Sequence, residues 1–168
     1  MTTDLATNAE APRVLVADDE DEIRSMLVMC LKSEGWVVAE AASGDEAFER
    51  CRHESFDVAV LDYMMPGMNG LQVARSLRFE GIRLPTILFT AYLVDELKAT
   101  CDDLGVVAVD KINWDELVLR CRELWERRAE ARSYASSAVR RSRLLSPVGT
   151  GGQVKSGPDL FSARVVSA

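Results

Sequence analysis

Val58-Ala59-Val60-Leu61-Asp62-Tyr63-Met64-Met65-Pro66-Gly67-Met68-Asn69-Gly70 takes an apolar run onto one carboxylate and then into a Pro/Gly-rich turn. Uninterrupted apolar residues bounded by a turn read as a strand buried on both faces, the pattern of a parallel sheet. Asp62 then stands at the carboxyl end of a central strand, where open α/β sheets bind their ligands. A carboxylate in that position is costly to bury without a partner. The simplest alternative is an Asp that ends the strand and caps its turn. The other strand ends decide between the two.

Working outward, Arg13–Ala17 reads as a first strand running onto Asp18-Asp19-Glu20-Asp21-Glu22. Ile23, Met26, Leu27, Cys30 and Leu31 follow at helical spacing, with acidic residues in the first turn and Gly35 as the stop. Trp36–Glu40 is a second strand, and Ser43 caps a helix to about Arg52. Phe56–Leu61 is the third strand. Gly70 to about Phe79 is a helix with Leu71, Ala74 and Leu77 on one face, ended by Gly81. Pro85–Phe89 is the fourth strand, ending at Thr90-Ala91, and a helix from about Leu93 to Asp103 closes at Gly105. Val106–Val109 is the fifth strand, ending near Lys111. Asn113 opens a last helix whose apolar face is Trp114, Leu117, Val118, Cys121, Leu124 and Trp125. This alternation predicts a doubly wound (βα)5 flavodoxin-like parallel sheet, strand order 2-1-3-4-5.

The charge is unevenly distributed. The 168 residues carry a net -7. Residues 1–126 hold 12 Lys/Arg against 25 Asp/Glu, a balance of -13, and residues 127–168 hold 8 against 2, a balance of +6. Residues 1–12 read as a disordered leader, 13–128 as the folded domain, and 129–168 as a basic helix extension with a flexible Ser/Gly-rich tail. Arg140-Arg141-Ser142-Arg143 either extends the last helix or is unstructured, and Pro147–Gly152 is unsuited to regular structure. Cys30, Cys51, Cys101 and Cys121 lack metal-ligand spacing and read as small apolar residues in a reduced compartment. No signal peptide or membrane-length apolar run is expected, so the reading is cytoplasmic, without a membrane partner. His53, the only histidine, reads as a surface residue at a helix end.

The predicted sheet gathers Asp18 and Asp19, Asp62, Thr90 and Lys111 at its strand ends. Three carboxylates need a counter-charge, and Mg²⁺ commonly joins carboxylates to a phosphate. Lys111 adds a fixed cation and Thr90 a neutral donor, making a site for a dianionic phosphoryl group with Asp62 as acceptor nucleophile.

Asp18-Asp19, Asp62 with Met65-Pro66 and Gly70 behind it, Thr90-Ala91 and Lys111 together resemble the receiver domain of two-component response regulators, from about Arg13 to Arg128. The resemblance implies that Asp62 accepts a phosphoryl group from a phosphohistidine of a sensor histidine kinase or phosphotransfer protein. It implies Mg²⁺ held by Asp19, Asp62 and the Met64 backbone carbonyl, with Asp18 assisting through water. Thr90 and Lys111 would bind the phosphoryl oxygens, and the small Ala91 would leave them room. It further implies a population shift of the fourth helix, fifth strand and fifth helix, and no enzymatic activity beyond the domain's own phosphorylation and dephosphorylation.

Two positions depart from the family pattern. Ile112 follows the lysine where Pro is usual; a cis bond before Ile costs about 3–4 kcal/mol, so a trans bond and a re-routed loop are expected. Ala108 stands where Tyr or Phe is usual, and Thr90 loses its aromatic partner. Asp110, beside Lys111, is a competitor for the ammonium. The expected protein is a stand-alone response regulator whose output is contact with an unknown downstream protein or phosphate relay, without specific DNA binding, because no helix-turn-helix follows the domain; a homodimer through the last helix is a further expectation left open. A phosphorylation-independent adaptor is the alternative. A phosphate-ester hydrolase is discounted, because such enzymes typically carry Asp-x-Asp and Met64 holds the second position.

Overall fold

The computed structural model describes residues 11–144. Most of the leader (residues 1–10) and the tail including Pro147–Gly152 lie outside the described residues. Five parallel strands form one sheet in the order β2-β1-β3-β4-β5. They are β1 Arg13–Ala17, β2 Val37–Ala41, β3 Val58–Leu61, β4 Thr86–Thr90 and β5 Val107–Asp110. Between and after them lie α1 Asp21–Ser33, α2 Gly44–His53, α3 Gly70–Phe79, α4 Asp95–Leu104 and α5 Trp114–Leu144. One compact unit runs to Ser133, within α5, and contains the sheet. Arg140-Arg141-Ser142-Arg143 lies inside α5, so that stretch is helical.

The central strands are apolar on both faces because both faces are covered. Val14, Val16, Val58, Val60, Ile87, Phe89 and Val109 pack with Leu27 and Leu31 of α1 and Leu117 and Cys121 of α5. Leu15, Ala17, Ala59 and Leu61 face Ala47 and Cys51 of α2 and Val73 and Leu77 of α3. Leu88 meets Leu97 and Cys101 of α4. Trp114 and Trp125 are partly buried on the first face; Trp114 lies edge-on to Phe89 at 5.4 Å and Trp125 to Trp36 at 6.2 Å. Aromatic pairs favour this geometry.

Four strands begin later than their apolar runs. Trp36, Phe56 and Val106 are buried, yet they precede β2, β3 and β5, and Pro85, which has no N–H for the ladder, precedes β4. On α1, Met26 is exposed and Val28 takes the buried place beside Leu27 and Leu31. Gly35 follows α1 with φ 85°, as a helix stop should. Cys51, Cys101 and Cys121 are buried, Cys30 half-buried, and all four thiols are free.

The helix starts brace the turn after β3. Ser43 Oγ accepts from Glu46 N, capping α2, and Asn69 with Gln72 forms a reciprocal capping box on α3. A Cβ on Gly44 would lie 1.7 Å from the Met68 carbonyl oxygen, and one on Gly70 would lie 2.3 Å from the Asp62 carbonyl oxygen. Both helices therefore press backbone-close on the loop that follows Asp62. Overpacking typically costs about 1–3 kcal/mol. Gly44→Ala is expected to lower the unfolding free energy by about 2–3 kcal/mol in urea; an unchanged midpoint would contradict the close approach.

Candidate functional site

The sheet register brings the sequence-predicted residues together. Ala17 is paired with Leu61, so Asp18 and Asp62 leave adjacent strands side by side. The ladder continues past the strand ends: Asp62 N donates to Ala17 O at 2.8 Å, and Asp18 N to Ala41 O at 3.2 Å. Thr90 is paired with Asp110, and Lys111 N donates to Thr90 O at 3.0 Å. Short loops cannot wander far, so the four strand ends converge.

Asp18 is 1% and Asp62 6% exposed, whereas Asp19 faces solvent. Lys111, with its side chain 14% exposed, places Nζ 2.8 Å from Asp18 Oδ2 and 3.1 Å from Asp62 Oδ1. Glu20 Oε1 lies farther from it, at 3.8 Å. Backbone amides take the remaining oxygens: Glu20 N donates to Asp18 Oδ1 and Met64 N to Asp62 Oδ2, each at 2.9 Å. Asp18 Oδ2 is buried without an aligned hydrogen-bond donor, leaving the Lys111 ion pair as its compensation. Met64 touches the site through its amide, and its side chain is exposed. Thr90 is fully buried, and its Oγ1 accepts from Tyr92 N at 3.1 Å.

Burial raises the Asp62 carboxyl pKa; the Lys111 ammonium pulls it down, Asp18 pushes it up, and the balance lies above the ordinary value. Burial acts against the Lys111 ammonium, but the Asp18 and Asp62 carboxylates outweigh it and hold its pKa above the usual lysine value. The electrostatics are those of an acidic pair held by one cation.

Carboxylate oxygens of Asp18, Asp19 and Asp62 lie within 4.8 Å of one another. An all-oxygen donor set, with one buried oxygen met only by the Lys111 ammonium and one carboxylate open to water, fits Mg²⁺, which keeps several water ligands. The three carboxylates suit the ion by chemistry as well as by position.

The departures after β5 resolve locally. No described peptide bond is cis, so Ile112 follows Lys111 in trans, as expected. Asp110 does not compete for the ammonium. Its Oδ1 accepts from Ile112 N at 3.0 Å and its carbonyl from Asn113 N at 2.9 Å, which turns the chain into α5. Ala108 packs in one cluster with Leu88 and Tyr63, the residue after Asp62. His53 is exposed, with Nδ1 2.8 Å from Glu49 O.

Sequence reasoning missed Arg24. Its side chain, 14% exposed, donates from Nη1 to the Asp18 carbonyl at 2.7 Å, pairs with Asp21, and sets Nε 3.5 Å from Glu40. A lone arginine on the acidic first turns of α1 was the available signal.

A family model described as response regulator receiver domain matches residues 14–113. The chain belongs to the response regulator receiver family. It is 40% identical over 116 residues to the probable transcriptional regulatory protein TcrX of Mycobacterium tuberculosis, covering 68% of this chain and 50% of TcrX. It is 38% identical over 127 residues to the transcriptional regulatory protein ResD of Bacillus subtilis, covering 73% and 51%. The chain thus spans about half the length of these curated relatives. Among solved structures, a Francisella response regulator receiver domain superposes with TM-score 0.67 at 31% identity, covering 69% of this chain and 98% of that one. The response regulator TrrA of Thermotoga maritima, in complex with Mg²⁺ and BeF, gives TM-score 0.61 at 34% identity, covering 67% and 98%. The observed strand order is the receiver fold expected from sequence. No helix among the described residues is long and apolar enough to cross a membrane.

Removing one partner of a buried pair typically costs about 3–5 kcal/mol. Lys111→Met is therefore expected to cost about 3 kcal/mol of stability at neutral pH, read by urea denaturation; a loss under about 0.5 kcal/mol would contradict the pairing. Because the folded Asp62 pKa lies above its unfolded value, ionisation there costs stability as pH rises between the two. The stability of Asp62→Asn relative to wild type is expected to climb as pH rises through that window and to level off above it. Stepped-pH urea melts with a constant difference would contradict the raised pKa.

Proposed function

We propose that this receiver accepts a phosphoryl group on Asp62 from a phosphohistidine of a sensor histidine kinase or phosphotransfer protein. The observation that carries the reading is the buried Asp62 carboxylate, held by Lys111 and by the Met64 amide at the mouth of an acidic pocket. An Asp62 oxygen forms the new P–O bond while the P–N bond to the donor histidine breaks, leaving the electron pair on the imidazole. Such a transfer asks the protein mainly for alignment and charge neutralisation.

Asp19, Asp62 and the Met64 carbonyl would hold Mg²⁺, with Asp18 acting through a water. When bound, the ion would neutralise charge among the carboxylates and on the phosphoryl oxygens. TrrA, a relative crystallised with Mg²⁺ and BeF, supports this assignment. Lys111 gives up its contact with the Asp62 oxygen and pairs with a phosphoryl oxygen, a move its flexible stem permits. The Thr90 hydroxyl accepts from Tyr92 N, and its own proton is available to the phosphoryl group.

Exposed Met64, Tyr92, Val94 and Ile112 lie on the loops around the strand ends and offer apolar contact to protein partners. We assign the output to contact with a downstream protein. The relatives are named transcriptional regulators, and the described residues after β5 continue as the single helix α5. A phosphorylation-independent adaptor is the second reading, favoured by Ala108, which gives Thr90 no aromatic neighbour at that position.

Acetyl phosphate with Mg²⁺ is expected to label wild type and not Asp62→Ala, seen as a retarded band on a phosphate-affinity gel. Labelling should fall at least tenfold for Lys111→Met. Equal labelling of Asp62→Ala would overturn the acceptor assignment, and no labelling of wild type would leave the adaptor reading.

A further inference from the structure

The opposite end of the sheet carries the inverse charge pattern. Arg13 opens β1 and Arg83 stands three residues before β4, while Arg128 and Arg132 lie on α5. A hollow of about 300 Å³ there has Phe56 and Leu84 among its apolar walls and Arg52, Arg83, Arg128 and Arg132 among its polar ones. In a receiver unit this acidic, four guanidiniums around one hollow require explanation.

The carboxylates of this region are already paired, two of the hollow's own arginines among their partners. Glu54 is taken by Arg13 at 3.1 Å and Arg50 at 2.9 Å. Asp57 pairs with Arg132 at 2.9 Å, and Glu80 and Glu49 pair with Arg52 at 2.9 and 3.1 Å. Among the described residues, Arg83 and Arg128 have no carboxylate within ion-pair distance. Arg128 Nη1 donates only to the Arg83 carbonyl, at 3.1 Å. Burial and the neighbouring Arg132 lower the Arg128 pKa and the Asp57 carboxylate partly offsets them, and the guanidinium stays charged at neutral pH. Arg83 is exposed and Arg128 half-buried, with Asp57 the carboxylate that acts on Arg128 from a distance; both guanidiniums line one concave surface without a direct ion pair, and an anion seated there would pair with both.

We propose that this hollow binds a small phosphate-bearing molecule, its phosphate seated against the Arg83 and Arg128 guanidiniums. A phosphate monoester carries about -1.5 to -2 at neutral pH, which matches two unpaired cations. Arginine forks pair with phosphate oxygens through parallel hydrogen bonds. The volume lies at the lower bound for ligand pockets, about 300 Å³, so the ligand is a phosphate with a small organic body or inorganic phosphate itself. The hollow and the acidic pocket lie at opposite strand ends, and this ligand does not compete for Asp62.

Calorimetric titration of the full chain with inorganic phosphate and with glycerol 3-phosphate, at low ionic strength in EDTA, tests the site. Saturable binding is expected, weakened at least tenfold by Arg128→Gln and by Arg83→Gln and unchanged by Asp62→Asn. Tighter binding of glycerol 3-phosphate assigns the site to an organic ester, and equal binding to inorganic phosphate. Arg83→Gln keeps the test valid if Arg128→Gln folds poorly, because the Arg83 side chain is exposed and has no described ion-pair partner. Absence of saturable binding to wild type, or wild-type binding by folded Arg83→Gln, would overturn the proposal.

Discussion

The Lys111 ammonium, within 3.1 Å of both Asp62 and Asp18, is the interaction on which the site depends. Two carboxylates leave neighbouring strands at the same level because the β1–β3 register allows nothing else. Buried together they would repel, and each would resist ionisation. One lysine from the end of β5 answers both. Its position follows from the sheet, since the Lys111 amide extends the β4–β5 ladder by one bond to Thr90. Fold and electrostatics are thus solved by the same few residues.

Lys111 pairs closely with Asp18 and Asp62, with Glu20 farther off, and under the proposed function it would trade the Asp62 contact for a phosphoryl oxygen while keeping Asp18. The loop after it stays in place because Asp110 fixes the turn through Ile112 N and Asn113 N, a bond pattern that needs no proline. Tyr63, adjacent to Asp62, shares a packed cluster with Ala108 and Leu97 of α4. An aromatic side chain thus reaches that cluster from the loop that follows Asp62, although Ala108 of β5 supplies only a methyl group.

Much of this was legible in the sequence, and the exceptions have physical causes. β1 and α3 begin and end where their patterns predict, because charge or capping marks both ends. β2, β3 and β5 begin later than their apolar runs, since Trp36, Phe56 and Val106 are buried without joining the paired strands. Hydrophobicity reports removal from water, and strand limits report hydrogen bonding. Residue type and spacing do not separate Asp18 from Asp19, to which only the family resemblance gave different roles, yet one is buried against Lys111 and the other faces solvent. The commitment of Asp110 to its own turn, the hold of Arg24 on the Asp18 carbonyl and the gathering of arginines around the far-end hollow all depend on side-chain reach across elements. Periodicity does not encode that.

Calorimetric titration of Mg²⁺ into wild type and into Asp19→Asn probes the acidic pocket itself, because Asp19 is exposed and its replacement leaves the Lys111 pairs intact. One saturable site per chain is expected in wild type, weakened at least tenfold in Asp19→Asn. Equal binding by both proteins, or none by wild type, would contradict an acidic pocket built to hold the ion beside Asp62.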